Sequence, residues 1–338
     1  MDEKNRIAYI DVAKGIGIIL VVCGHVIGEG EKSFKYSNIL HDYIYSFHMA
    51  LFFIISGILL EKKYKQNDKY YLENKINSSI RNLLIPYFLW SIIYFVLDNK
   101  SLENNVYEWV LCTVTFRGRA PIWFLASLFW TEIAVVCIQY IVKKKRNMII
   151  ATILIAVLSI LSWKYYEHMN FTSIFIEYST VFWFRSLVCL FFVLVGCIDP
   201  LKITENKKKT SVLISLCILC IISFKIYNSY ENGSNLHTFS IKNMYVFLIA
   251  GVLGSYIVLL LCKFICNIVS IRVFEWIGQH SLGIMCIHYT HFPFMQYATD
   301  ICNYAGINGG VAFIVSFVLV LASSIFGIMI LKKVSCKI

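Results

Sequence analysis

The chain has 338 residues, 58% hydrophobic and 16% aromatic, with only 15% charged, which is more apolar surface than one soluble core can hide. Its formal charge of +11 lies in short clusters between apolar runs. That pattern excludes a basic nucleic-acid-binding face and leaves a topological explanation for the charge.

A helix that crosses about 30 Å of hydrocarbon needs roughly 20 mostly apolar residues. Such spans are expected, in chain order, over 7–27, 39–60, 82–98, 122–142, 148–163, 179–198, 211–226, 244–262, 273–294 and 310–331. The expected fold class is all-α, a polytopic membrane helical bundle of about ten transmembrane helices. The fifth span is short, and the ninth carries Gln279, His280 and His288. Asp11 and Lys14 interrupt the first run and no small-residue cleavage site follows it, so it is expected to stay as a membrane helix.

Most of the 31 Lys and Arg residues fall on one side of this arrangement. With the N-terminus inside, that side holds Lys4 and Arg6, the clusters from Lys62 to Arg81 and from Lys143 to Arg146, Lys207 to Lys209, and Lys332 to Lys337. The positive-inside rule then expects an even number of spans and both termini in the cytoplasm. The expected location is the cell inner (plasma) membrane, multi-pass, in contact with membrane lipids. No linker, repeat or low-complexity tract divides the chain, so 1–338 is expected to form a single integral-membrane domain without a separate soluble one. Cys217 and Cys220 lie in an apolar stretch without further ligands, so no metal site is expected.

Ionisable residues inside spans are expensive and point to function. The first span, YIDVAKGIGIILVVCGHV, carries Asp11, Lys14 and His25. Eleven residues at about 100° each make three turns with roughly 20° left over, so Lys14 and His25 share one stripe, about 16 Å apart along the axis. Asp11 lies one turn below Lys14. Two readings are open on this helix alone: an interfacial Asp11–Lys14 ion pair with a merely hydrogen-bonded His25, or a functional stripe. His48 in the second span, antiparallel to the first, favours the latter, because two histidines in the outer halves of adjoining helices can meet in one polar pocket.

The blocks IDVAKGIGIILVVCGH and FHMALFFIISG, followed by RNLLIPYFLW at 81–90, PIWFLASLF at 121–129 and WIGQHSLGIMCIHYTH at 276–291, resemble the acyltransferase family 3 membrane proteins. The likeness is to the branch of fucose 4-O-acetylases in particular, and it extends over nearly the whole chain. The family's first helix typically places a basic residue, often Arg, eleven positions before a His; Lys14 and His25 stand there. Its pair of arginines before the third span is incomplete, with Arg81 present but Ser78 three residues earlier.

The resemblance implies a membrane-embedded O-acyltransferase that moves acetyl from cytoplasmic acetyl-CoA, a co-substrate, to a hydroxyl of a cell-surface glycan or its lipid-linked precursor. His25 is then the expected general base, Lys14 orients the donor or stabilises charge, and Asp11 orients Lys14. Arg81 and Lys75, at the basic inner rim, are the expected contacts for the nucleotide phosphates. The acceptor is expected to meet His48, Glu132, Trp123, His288 and Arg185, with Arg117 and Arg119 beside Trp123 as further candidates. A second reading, a secondary transporter or glycan exporter, would also use intramembrane charges. It lacks the corresponding Gly/Pro-broken helices in two halves that often mark transporters.

Overall fold

A computed structural model of the chain describes residues 7–29, 37–64, 71–97, 106–142, 144–198, 217–218, 221–222, 234–266, 268–269, 271–291, 300–301, 304–306 and 309–335. The described residues are helical, with no strand beyond one isolated bridge between Asn235 and Ser240. The helices are α1 (Ala8–Glu29), α2 (Ser37–Tyr45), α3 (His48–Tyr64), α4 (Tyr71–Ser79), α5 (Ile85–Leu97), α6 (Val106–Val114), α7 (Trp123–Ile141) and α8 (Lys145–Glu167). They continue with α9 (Ile174–Cys197), α10 (Met244–Cys266), α11 (Arg272–Gln279), α12 (Ser281–Ile287) and α13 (Gly309–Ser335). A π-helical segment, Ile80–Leu84, joins α4 to α5, and a 3₁₀ turn, His288–His291, follows α12.

Eight of these helical stretches are long and apolar enough to cross a membrane, and the protein is an all-α, polytopic membrane protein. Eight of the ten expected spans coincide with them. The seventh expected span, 211–226, lies outside the described residues apart from four. The ninth is not one helix. It breaks at His280 into α11 and α12, where the run Gly278-Gln279-His280-Ser281 supplies polar and small residues in place of an apolar stripe, and the His280 imidazole turns back onto the Trp276 carbonyl at 2.6 Å. The second span is interrupted at Ser46 and Phe47, where the Ser46 hydroxyl donates to the Tyr43 carbonyl at 2.7 Å. The third begins earlier than expected, at Tyr71. There the backbone N–H of Ile85 bonds back to Ile80, a widened turn that takes up the missing donor of Pro86.

The sequence's polarity is turned inward. Ser127, Thr131 and Ser255, together with Arg185, Glu132 and Gln139, are buried, whereas α5, α8 and α13 expose Ile92, Val96, Ile153, Val157, Val318 and Phe326. That is the distribution a hydrocarbon solvent selects, because lipid rewards apolar outer faces and a buried hydroxyl can bond within its own helix.

The contacts divide the chain into two compact units, one of Met1–Leu51, Ile214–Gly233 and Leu253–Ile338, the other of Phe52–Leu213 and Ser234–Val252. In the first, α1 packs against α2, α11, α12 and α13. The closest approach is to α11. A side chain on Gly278 would run into the Asp11 carbonyl oxygen, and one on Gly15 into the Phe274 carbonyl. In the second unit, α7 packs on α9, α4, the π segment and α5, and α8 packs on α9. Gly57 of α3 and Gly196 of α9 meet there, each with its missing side chain filled by the other helix's backbone.

Candidate functional site

The first unit carries the stripe expected from the first span. Lys14 Nζ lies 3.5 Å from Asp11 Oδ1, as the i,i+3 spacing requires. The other Asp11 oxygen is 3.5 Å from Gln279 Nε2 of α11, a partner that only the close α1–α11 contact supplies. Eleven residues along the same helix, His25 stands in a nest of rings. The His288 ring is 5.2 Å away centroid to centroid, Tyr289 is 6.0 Å away and Tyr45 6.2 Å.

His48 joins the nest through Tyr45, at 4.9 Å, and His41 stacks on the same tyrosine at 4.0 Å. His48 begins α3 after the Ser46–Phe47 break and His288 follows directly on α12, and each turns its Nδ1 towards the carbonyl four residues back, Ile44 at 2.8 Å and Ile284 at 3.1 Å. A carbonyl only accepts, so both rings carry their proton on Nδ1 when neutral and present Nε2 as the acceptor nitrogen.

The second unit holds two further polar groups. Lys75, expected at the donor phosphates, and Glu132, expected at the acceptor, are partners of each other: Lys75 Nζ lies 2.6 Å from Glu132 Oε2, with side chains 12% and 10% exposed. Ser79 donates to Oε2 at 2.8 Å and Ser56 to Oε1 at 3.0 Å. Lys75 and Ser79 are one turn apart on α4, so one helix face delivers both. Along α7 the polarity continues at Gln139, which donates to Glu61 at 3.0 Å. Arg81, in the π segment, is exposed.

Arg185 neither snorkels outward nor reaches into an open site. It is fully buried. Its Nε donates to Ser127 Oγ at 3.1 Å, and its terminal nitrogens donate to the carbonyls of His237 at 3.0 Å and Phe116 at 3.1 Å. The guanidinium lies 4.7 Å from the Trp123 ring centre, so Trp123, expected at the acceptor, is buried beneath a cation. Three neutral acceptors and an aromatic face take the place of a carboxylate.

The two carbonyls come from turns with a Phe at positive φ, Phe116 at 58° and Phe239 at 59°. Such backbone is costly for a bulky residue and persists because its surroundings hold it. His237 Nε2–H donates to the Gly118 carbonyl at 2.9 Å. Burial pulls the His237 imidazole down to about 3, and the neighbouring Arg185 charge acts in the same direction. Of the loop arginines, Arg117 lies over the Tyr178 ring at 4.4 Å, and Arg119 is 3.8 Å from Glu108.

Sequence reasoning noted Gln279 without giving it a role, and missed Tyr45, Tyr289 and His237. Of the missed residues only the two tyrosines carried a signal, Tyr45 just before Ser46-Phe47-His48 and Tyr289 next to His288 inside the block 276–291.

Histidines and an ion pair on the inner faces of apolar helices define an integral-membrane protein organised around polar chemistry within its spans. Over residues 7–333 the chain matches the family described as acyltransferase domain, and it belongs to that family. Together with the eight long apolar helices, this makes it a multi-pass membrane member of that family. A nodulation protein, NolL, of Mesorhizobium japonicum (strain LMG 29417 / CECT 9101 / MAFF 303099) is 32% identical over 120 residues, 31% of this chain and 30% of that protein. The match therefore spans less than a third of that relative's length. No solved structure matches the chain.

Proposed function

We propose that the protein transfers acetyl from cytoplasmic acetyl-CoA to a hydroxyl of a cell-surface glycan or its lipid-linked precursor. The observation that carries this reading is His25, a half-buried imidazole on the stripe of Lys14, ringed by His288, Tyr289 and Tyr45. Aromatic edges and faces of this kind suit a sugar ring, and an imidazole among them suits its hydroxyl.

In this reading a nitrogen of His25 takes the proton of the acceptor hydroxyl as its oxygen attacks the thioester carbonyl. The C–S bond then breaks, and the imidazolium returns the proton to the leaving thiolate, so that CoA leaves as the thiol and the glycan as the ester. Lys14 sits three turns nearer the cytoplasmic end, about 16 Å along the axis, too far to touch the same carbonyl. Its role is along the donor's arm, and Asp11 holds it in place. Arg81 of the second unit is exposed and basic, as attraction of an anionic nucleotide requires, whereas Lys75 is committed to Glu132.

The test is a set of variants assayed with labelled acetyl-CoA. His25→Ala and His25→Gln should accumulate normally yet lose about 10²- to 10⁴-fold in transfer, the usual worth of a general base. Lys14→Arg should retain much of the activity and Lys14→Ala should not. Near-normal turnover in His25→Gln would remove His25 from the mechanism.

A further inference from the structure

Three arginines of the second unit, Arg117, Arg119 and Arg185, lie near the ends at which α7 and α9 begin. Arg119 has a carboxylate partner, Glu108 of α6, at 3.8 Å, and Glu108 also accepts from the Tyr178 hydroxyl at 2.8 Å. Among the described residues, neither Arg117 nor Arg185 has a carboxylate within ion-pair distance. Tyr178 and Arg185 are seven residues apart on α9, two turns or about 10 Å, so one helix face carries both. Arg185 is fully buried and donates to the carbonyl of Phe116, the residue next to Arg117.

Arg117 is the member of this group whose donors are not taken up. Its guanidinium lies over the Tyr178 ring at 4.4 Å, its Nε is buried with no hydrogen-bond partner, and the Cys112 thiol beside it is a weak acceptor. A merely solvated arginine keeps Nε in water. Buried N–H groups are nearly always bonded, and an exception calls for a physical explanation.

We propose that Arg117 binds a phosphoryl anion carried by a lipid, with the Arg185 charge beneath it adding to the attraction. A planar guanidinium offers two parallel N–H bonds to phosphate oxygens. Arg185, held by neutral acceptors, keeps its charge uncompensated in an interior that screens it poorly. Trp123 and Ile174 both open membrane-spanning helices, and a lipid phosphate lies where such helices leave the hydrocarbon. Two kinds of lipid bear this group, a glycan carrier with a pyrophosphate and a phospholipid. That the lipid is the carrier of the acceptor rests on the acyl-transfer reading above; the phosphoryl site does not.

The full chain is purified in an uncharged detergent as wild type, Arg117→Gln and Lys242→Gln, the last removing an exposed charge from the segment that carries His237. Unfolding midpoints are measured with farnesyl diphosphate, farnesol and phosphatidylglycerol. Near saturation, farnesyl diphosphate should raise the midpoints of wild type and Lys242→Gln by about 3 °C or more. Farnesol should not, and Arg117→Gln should lose the shift. An Arg117-dependent rise with phosphatidylglycerol alone supports the site and assigns it to a phospholipid headgroup. No rise with either phosphate-bearing lipid, or a rise that Arg117→Gln keeps in full, overturns the proposal. If Arg117→Gln fails to accumulate, Arg117→Lys decides: dissociation constants raised several-fold support the guanidinium contact, and wild-type values contradict it.

Acetyl transfer in the same preparations identifies the source of the phosphate. With a glycan linked to a lipid pyrophosphate, Arg117→Gln should raise the acceptor KM about 10-fold and leave kcat nearly unchanged, while the same glycan freed of its lipid should be used as by wild type. A KM unmoved by Arg117→Gln rules out the lipid-linked glycan as the source. Absence of transfer by wild type to either acceptor defeats the acyl-transfer reading and leaves the binding result standing.

Discussion

A carboxylate in the middle of an apolar span is tolerated when a cation and enough donors surround it, and Glu132 meets that condition with Lys75, Ser79 and Ser56. Removing one charge of such a pair leaves the other buried and uncompensated, at a cost of roughly 3–5 kcal/mol. Glu132→Gln and Lys75→Met should therefore each lower the unfolding midpoint in detergent and the membrane abundance. The double variant, with both charges gone, should recover most of the loss. Additive losses in the double variant would show that the two groups do not depend on each other.

The same pair marks the limit of what single residues reveal in sequence. Asp11 and Lys14 were legible as partners because three residues on a helix bring them together. Nothing in sequence joins Lys75 to Glu132, or His25 to His288. Each was visible as an ionisable group in or beside an apolar run, and each drew a separate role. Trp123 and Arg185 illustrate the same limit: an aromatic and a cation, each read as a ligand-binding group, also meet one another when the chain folds.

At the scale of elements, hydropathy located the long spans well because length and apolarity suffice to define a membrane helix. It was least informative where a helix breaks. Ser46-Phe47 and His280 are short interruptions inside apolar stretches, too small to alter an average, yet each divides a span into two helices, and His48 begins directly after the first. The π turn before Pro86 is invisible to hydropathy in the same way.

The closest helix contact is also a matter of one residue. α1 and α11 approach until Gly278 lies against the Asp11 carbonyl, and that approach brings Gln279 to the Asp11 carboxylate. Gly278→Ala should force the two helices apart and reduce both abundance and acyl transfer, whereas Gly28→Ala, whose new carbon would meet only the His41 ring at ordinary contact distance, should change little. Measuring the amount of folded protein by size-exclusion chromatography of the two variants separates these outcomes. Equal tolerance of both would refute the close packing of α1 on α11.

At the scale of the whole molecule, the inward turn of polarity and the match over residues 7–333 make this chain a membrane protein of the acyltransferase domain family. The proposed acetyl donor and glycan acceptor rest on the imidazole at His25 and its aromatic surroundings. The alternative use of the same intramembrane charges is to pass a substrate across the bilayer without altering it. The two accounts part over where a label ends up.

The measurement that decides between them uses the purified chain reconstituted in liposomes, with acetyl-CoA labelled in the acetyl group and a glycan acceptor. Ester-linked label should appear on the glycan with wild-type protein and be lost, by about 10²-fold or more, with His25→Gln. Passage of intact glycan across the bilayer, with no acetyl transferred and no effect of His25→Gln, would contradict the account.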